Sequence, residues 1–268
     1  MKLSEMYALL NDLADKSLSD EYCARFHAYD NSGILVDCGE EIKGVLFTLD
    51  LTYAAIDEAL KRGANLIVTH HPVIYGKIGD IRVGDDALLG GKLVKCLRNG
   101  ISVVSMHLNL DVAKGGIDES LMTGVRLAAG GGEGDADEMH ALANGAYGRS
   151  YPVNEISLAS LAENIKKQFS SDRVVYYGDG NRKIRRAASF CGAGGDEEGV
   201  AFAKKTGADV MISSDFKHHV LTMAQESGLA VIVLTHYASE NYGFQKYYEK
   251  ICRQVEIPCV YHTDENLL

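Results

Sequence analysis

The 268-residue chain is 46% apolar and 24% charged, and its formal net charge is -10. This length and composition are typical of a globular protein that buries one large core or two moderate ones. The acidic charge argues against a dedicated DNA- or RNA-binding surface, because phosphate recognition depends on clustered Lys and Arg. One short basic cluster flanks a candidate strand, and we interpret it as a solvated edge. It comprises Arg182, Lys183, Arg185 and Arg186.

No targeting or membrane segment is expected. The opening residues 1–7 are amphipathic and include an acid, unlike a secretory signal peptide. No apolar stretch approaches the ~20 residues that are needed to span a bilayer. The six cysteines are scattered without a CxxC pair, which fits neither a zinc ribbon nor a disulfide framework. We therefore expect reduced thiols and a cytoplasmic location.

The first hundred residues alternate between predicted strands and helices, which indicates an α/β fold. Short apolar runs rich in branched residues predict strands over 33–37, 44–50, 65–69 and 101–106. Amphipathic spacing predicts helices over 3–16, 52–62 and 90–99. The last two helices are each followed by a glycine, Gly63 or Gly100, that is expected to end them.

The second half repeats this alternation after a small, acidic, glycine-rich segment from Ala128 to Glu138. That segment is the best candidate for a domain junction. Strands are predicted over 174–177, 187–190, 210–213, 231–234 and 260–262, and helices within 157–169, 197–207 and 241–254. Ser160 and Glu163 form a candidate capping box that would start the first of these helices. We predict one α/β domain, 1–127 with 230–268, interrupted by a second, 128–229.

Histidines follow three of the predicted buried strands. They are His70 and His71 in the first case, His107 in the second and His236 in the third. In α/β sheets, ligands bind at the carboxyl ends of the strands. Asp111 and Glu240 each lie four residues after a histidine, so each His–carboxylate pair would share one face of a helical turn.

Imidazole and carboxylate donors together suit zinc, manganese, iron or nickel. Five or six such donors exceed what one tetrahedral zinc needs, and the surplus fits two ions held ~3.5–4 Å apart. A structural role for these histidines remains the alternative, since a lone histidine at a strand end is usually structural. The spacing also matches no short motif such as HExxH.

Three strings resemble the Nif-three-like family, whose members are often labelled GTP cyclohydrolase 1 type 2 homologues or dinuclear-metal-centre hexameric proteins. They are NLIVTHHPV at 65–73, HLNLDVAKGGID at 107–118 and THYASE at 235–240. The resemblance covers nearly the whole chain. It implies two interlinked α/β domains, with two divalent ions per subunit in a toroidal homohexamer whose metal sites face an internal cavity. The ligands it implies are His70, His71, Asp111, His236 and Glu240, with His107 beside the site.

The chain departs from the family pattern at two turns. Thr235 stands where the family usually has Gly before the last metal histidine. Ser214 replaces the glycine of a Thr-Gly-Asp turn that precedes Asp215. Glycine there normally permits positive φ or a close backbone approach, so the local turn geometry is uncertain, whereas the ligands are unaffected.

Two further segments are candidates for function. Asp215, Lys217, His218 and His219 could line a metal cavity, or Asp215 could simply cap the next helix. His219, which precedes apolar residues, is our candidate for an inward-facing acid or base. The glycine-rich turn after Cys191 could present N–H groups to a phosphate. It fails the dinucleotide fingerprint at Glu197, so we favour a tight turn.

A paired-metal site predicts a metal-dependent hydrolase that acts on a nucleotide ring, as the family label suggests, or on a phosphoester. In this hypothesis His107 or His219 transfers the proton, and the substrate is a small molecule. A non-catalytic metal-binding or regulatory protein would use the same ligands. A nucleotide binder without metal rests only on the α/β alternation and the Gly192 turn, and fold alone does not establish function.

Overall fold

The computed structural model describes residues 1–84 and 88–268. Its described residues form two compact units, each with its own sheet and helices. Unit 1 consists of Met1–Ala113 and Phe244–Thr263, and unit 2 of Lys114–Gly243 and Asp264–Leu268. The predicted α/β class and the interruption of one unit by the other along the chain are therefore confirmed. Within the described ranges, no helix is both long and apolar enough to span a membrane.

Unit 1 contains a five-stranded sheet in the order β1-β4-β3-β2-β11. Strand β1 is antiparallel to β4, and the other neighbours are parallel. The elements of this unit are α1 Leu3–Leu13, α2 Lys16–Phe26, β1 Gly33–Val36, β2 Val45–Thr48, α3 Tyr53–Arg62, β3 Leu66–Thr69, α4 Leu88–Arg98, β4 Ser102–Ser105, α5 Leu108–Val112 and β11 Cys259–Tyr261. The three central strands β2, β3 and β4 are fully buried, which explains why their sequences are mostly apolar, with only Ser or Thr at their ends.

Most predicted elements of unit 1 are confirmed within a few residues. Gly63 and Gly100 adopt φ of 69° and 65° after their helices, as expected of helix-ending glycines. The predicted opening helix over 3–16 is shorter, because it ends at Leu13. Asp15 then caps a second helix, since its side chain accepts a hydrogen bond from Ser17 N. The loop predicted before α4 includes residues 85–87, which lie outside the described residues.

Unit 2 contains a six-stranded sheet in the order β5-β6-β8-β9-β10-β7. Strands β8, β9 and β10 are parallel, and the remaining pairs are antiparallel. The elements are α6 Ile117–Ala128, β5 Asp137–Leu142, β6 Gly145–Ser157, α7 Leu158–Gln168, β7 Val175–Tyr177, β8 Lys183–Ser189, α8 Glu197–Lys205, β9 Val210–Ser213, α9 His218–Glu226, β10 Ala230–Val233 and α10 His236–Cys252. Helix α10 begins in unit 2, and its residues from Phe244 onward belong to unit 1.

The observed unit boundaries differ from the predicted ones, 127/128 and 229/230. The chain divides after Ala113 and after Gly243. Strand β10 belongs to unit 2 because it pairs with β9 and β7, and α6 packs against β6 and α7 of the same unit. The glycine-rich segment is a turn inside unit 2. A Cβ on Gly132 would lie 2.5 Å from Pro152 O, so glycine there permits a close backbone approach.

Smaller expectations for unit 2 also need correction. Helix α7 begins at Leu158, because Ser157 rather than the predicted Ser160 caps it. The basic cluster begins one residue before β8 and continues on that strand, which is interior and not an edge, and its side chains pair with nearby carboxylates. The cluster is therefore solvated and balanced in charge. All six cysteines are free in the structure.

Candidate metal centre

In unit 1, the ends of three parallel strands bring polar side chains to one edge of the sheet. The register aligns Thr48 with Thr69, and Thr69 with Ser105, so β2, β3 and β4 end level with one another. His70 and His71 directly follow β3. His107 follows β4 after one residue, and Asp50 follows β2 after one residue. The predicted placement of these histidines at strand ends is confirmed.

The three histidines of this edge lie close enough to share ions. One ring nitrogen from each of His70, His71 and His107 lies within 4.8 Å of the other two. His107 precedes the short helix α5, which carries Asp111 on its last turn. His70 Nε2 lies 3.4 Å from Asp111 Oδ1. Three imidazoles and a carboxylate form a donor set that fits a divalent first-row metal.

The ring orientation of His70 and His71 is fixed by hydrogen bonds from Nδ1. His71 Nδ1 donates to Asp50 Oδ1 over 2.8 Å, and His70 Nδ1 donates to the Met106 carbonyl over 2.7 Å. Metal-bound histidines almost always donate their second ring N–H to a carboxylate or carbonyl in this way. The contacts leave Nε2 of each ring as the nitrogen for a cation.

His107 is held in the same manner by Asp30, a residue that the sequence analysis did not select. His107 Nδ1 donates to Asp30 Oδ1 over 2.8 Å. Burial raises the pKa of Asp30, but hydrogen bonds from His107, Ser19 and Ser32 outweigh it and hold the pKa well below its ordinary value. Asp30 is therefore ionised near neutral pH. It reaches the edge because β1 is antiparallel to β4, which aligns Gly33 with Ser105.

Unit 2 repeats this design with different residues. Strands β8, β9 and β10 are parallel, and their ends are followed by the Gly192 turn, Asp215 and His236 respectively. His236 is the first residue of α10, and its Nε2 lies 3.0 Å from Oε1 of Glu240, one helical turn later. His236 Nδ1 donates to Asp215 Oδ2 over 2.5 Å. The predicted helical pairing of His236 with Glu240 is thus confirmed.

The two departures from the family pattern have local explanations. The positive φ of the turn falls on Asp215, at 57°, which an aspartate tolerates better than most residues. Ser214 therefore does not need the freedom of a glycine, and its hydroxyl donates a hydrogen bond to the Gly192 carbonyl. The Thr235 hydroxyl accepts a hydrogen bond of 3.0 Å from Ala238 N, which caps α10 at its start. This cap also explains why α10 begins five residues before the predicted Asn241.

The turn after Cys191 packs against the His236–Glu240 pair. Gly192 has φ of +56°, and a Cβ there would lie 2.3 Å from Glu240 Oε1 and 3.4 Å from His236 Nε2. Its N–H donates to Ser239 Oγ over 3.0 Å. The turn is followed by α8, whose cap and first turn are acidic. It is the tight turn that we favoured over a phosphate cradle.

His219 does not join these donors. Its side chain is 62% exposed, and its Nε2 lies 2.7 Å from Glu197 Oε1. Among the described residues, the groups that could hold an ion do not include it. Asp215 does not act as the cap of α9, because Lys217 occupies that position. The Asp215–His219 segment therefore contributes Asp215, which orients His236.

Comparisons with known proteins identify the family and the fold of the chain. Residues 1–265 match the profile of the family described as Duf34/NIF3 (NGG1p interacting factor 3). A GTP cyclohydrolase 1 type 2 homolog from Clostridium perfringens is 31% identical over 258 residues, 96% of this chain and 93% of that protein. One from Clostridium acetobutylicum is 31% identical over 244 residues, 90% of this chain and 85% of that protein. The crystal structure of a Bacillus cereus protein related to NIF3 has the same fold, with a TM-score of 0.78 at 20% identity, and covers 98% of this chain and 97% of that chain.

Proposed function

Because the chain belongs to the Duf34/NIF3 family, we propose that it binds two divalent ions and acts as a metal-dependent hydrolase. The proposed ligands are His70, His71, Asp111, His236 and Glu240. One observation carries this proposal: in each unit, imidazole and carboxylate donors lie together, and every histidine among them has its Nδ1 held by an oxygen acceptor. Such a set fits zinc, iron, manganese or nickel, with the identity open.

When bound, a pair of divalent ions supplies a hydroxide nucleophile near neutral pH and polarises the substrate oxygen. The protein's own groups hold the site in shape: Asp50 and Asp215 orient His71 and His236 through their Nδ1 atoms. Of the two candidates for proton transfer, the geometry favours His107. Its Nδ1 is held by Asp30, so its Nε2 is the atom that would take or give a proton.

The substrate class follows the printed names of the relatives. A GTP cyclohydrolase 1 type 2 homolog suggests a nucleotide ring as substrate, and a phosphoester suits a paired-metal site equally well. A non-catalytic metal-binding or regulatory protein remains the second candidate. The same donor atoms would serve it, since metal affinity does not require turnover.

The test is to purify the protein without chelator and measure its metal content. The protein is then assayed against GTP, cyclic dinucleotides and phosphodiesters. We expect two ions per chain and hydrolysis of at least one compound. Metal content and hydrolysis should both be reduced in His70→Ala and in Glu240→Ala. His219→Ala is the matched control and should keep the metal content and the hydrolysis of the wild type. Stoichiometric metal without turnover would favour the binding role, and wild-type protein without metal would refute the proposal.

The homohexamer implied by the family resemblance stays a prediction. Light scattering on the eluted protein should give a mass six times that of the chain. The same mass is expected for His70→Ala and Glu240→Ala, because neither change removes an exposed apolar surface. A monomer at micromolar concentration would contradict it.

We expect Asp215→Asn to weaken metal affinity about 10–100-fold, the usual effect of losing a carboxylate that orients a ligand histidine. The amide cannot match the charge-assisted bond that His236 Nδ1 now makes. Competition with a metal-binding dye measures the change. Glu197→Gln is the matched control, because Glu197 contacts the exposed His219 in the same way. Equal loss in both variants would show that the effect is not specific to the site.

A further inference from the structure

A pocket of about 290 Å³ in unit 1 extends from the candidate metal donors. His71 and its partner Asp50 form part of its wall, so a molecule in the pocket would lie against a proposed ligand. The remaining walls come from the segment after His71 and from α4. The lining residues are Asp50, Leu51, His71, Pro72, Val73, Leu89 and Lys92. The pocket is therefore apolar on several sides and carries two opposite charges.

Lys92 is the only Lys or Arg among these lining residues. It is half-buried on α4, and no described residue forms an ion pair or hydrogen bond with its ammonium. Lys95, one turn later on the same helix, differs: it is paired with Asp57, and its ammonium lies 5.6 Å from the centre of the Tyr53 ring. A half-buried ammonium that faces a pocket and is not neutralised by any described carboxylate attracts an anion.

The second charge in the pocket determines where an anion would lie. Asp50 accepts the hydrogen bond from His71 Nδ1, and its carboxylate repels an anion from the side next to that ring. The Lys92 ammonium attracts the same group to α4. Leu51, Val73 and Leu89 offer apolar contacts to the uncharged part of the molecule.

We propose that this pocket binds the anionic group of an organic substrate, a phosphate ester or a carboxylate, through Lys92. The apolar body of the substrate lies on the leucine and valine side chains, and its reacting group lies beside His71. The inference rests on the proposed metal-dependent function, which it extends by naming an anionic substrate. Lys92 is thus a specificity residue, since it contacts substrate at a distance from the reacting atoms.

The experiment measures binding of phenyl phosphate and of benzoate to the metal-loaded protein by calorimetry. Lys92→Gln should weaken binding of phenyl phosphate, of benzoate or of both about tenfold, the loss expected when a charged partner is removed. The anion whose binding Lys92→Gln weakens shows whether Lys92 recognises a phosphate ester or a carboxylate. Lys92→Arg, which keeps the charge, should restore most of the affinity. Lys95→Gln removes a charge from the same helix outside the pocket and should bind like the wild type.

Metal content and thermal midpoints are measured on every variant. Unchanged affinity for both anions in Lys92→Gln would overturn the proposal, and so would equal losses in Lys92→Gln and Lys95→Gln. If Lys92→Gln is poorly folded, failure of Lys92→Arg to bind either anion overturns it as well. Failure of the proposed function has a separate signature, wild-type protein that retains no metal.

Discussion

Asp118→Asn is expected to lower the free energy of unfolding by about 3–5 kcal/mol, because it removes the buried carboxylate that neutralises Arg149. A second carboxylate, Glu119, lies farther away, with its Oε2 3.8 Å from Arg149 Nη2. Asp118 is fully buried, and Arg149, which donates to its Oδ2, is only 4% exposed. The Asp118 carboxylate also accepts hydrogen bonds from the N–H groups of Gly148 and Cys191, at 3.1 and 3.2 Å. Denaturant unfolding followed by circular dichroism measures the change.

Two control variants distinguish the effect of losing a buried carboxylate from the effect of losing an exposed one. Glu155→Gln removes the partner of Lys183 and Arg185 on the exposed face of β8, and its unfolding midpoint should match the wild type. Asp118→Asn combined with Arg149→Met should recover part of the loss, because the buried cation is gone. A midpoint for Asp118→Asn equal to that of Glu155→Gln would contradict the assigned role of the pair.

Gly192→Ala should reduce metal affinity about 10–100-fold, an effect comparable to loss of an orienting group. The added methyl would lie 2.3 Å from Glu240 Oε1, so the carboxylate must move away from His236. The change also places a side chain at φ of +56°, which costs about 1–2 kcal/mol of stability. Dye competition and denaturant unfolding, measured on the same preparation, report the two effects separately.

Gly207→Ala is the control for backbone strain. Gly207 has φ of +70° and nothing within 4 Å of its Cβ position, so its variant should lose about the same stability and keep full metal affinity. If the two variants differ neither in stability nor in metal affinity, the packing of Gly192 against Glu240 has no bearing on the ligands.

The sequence predicts well where the candidate donors His70, His71 and His236 lie, because local patterns determine their positions at strand ends. Buried parallel strands are continuous apolar runs, so their ends, and the histidines that follow, can be identified without knowing which strands pair. The i, i+4 spacing predicted the pairing of Glu240 with His236, which is confirmed on α10. It also paired Asp111 with His107, but the carboxylate of Asp111 lies 3.4 Å from His70 Nε2 instead. The resemblance to the Nif-three-like family is confirmed by the profile match over residues 1–265.

The carboxylates that orient the rings were missed for a different reason. Asp30 reaches His107 only because β1 runs antiparallel to β4, and this pairing joins segments that are far apart in the sequence. The sequence pattern did offer an indication for Asp50, because this residue follows β2 as the histidines follow β3 and β4. An aspartate after a strand is also a common turn residue, however, so the pattern does not distinguish the two roles. The unit boundaries depended likewise on β10 pairing with β9, which residue patterns do not encode.

The Nδ1 hydrogen bonds of His70 and His71 have a consequence for the proposed metal site. They fix the angle of both rings before any ion binds, so a cation that entered the site would meet nitrogens that are already aligned. A site that is already formed would discriminate little among divalent ions by changing its shape on binding. Occupancy by zinc, iron, manganese or nickel would then follow the supply of each metal and the Irving–Williams order.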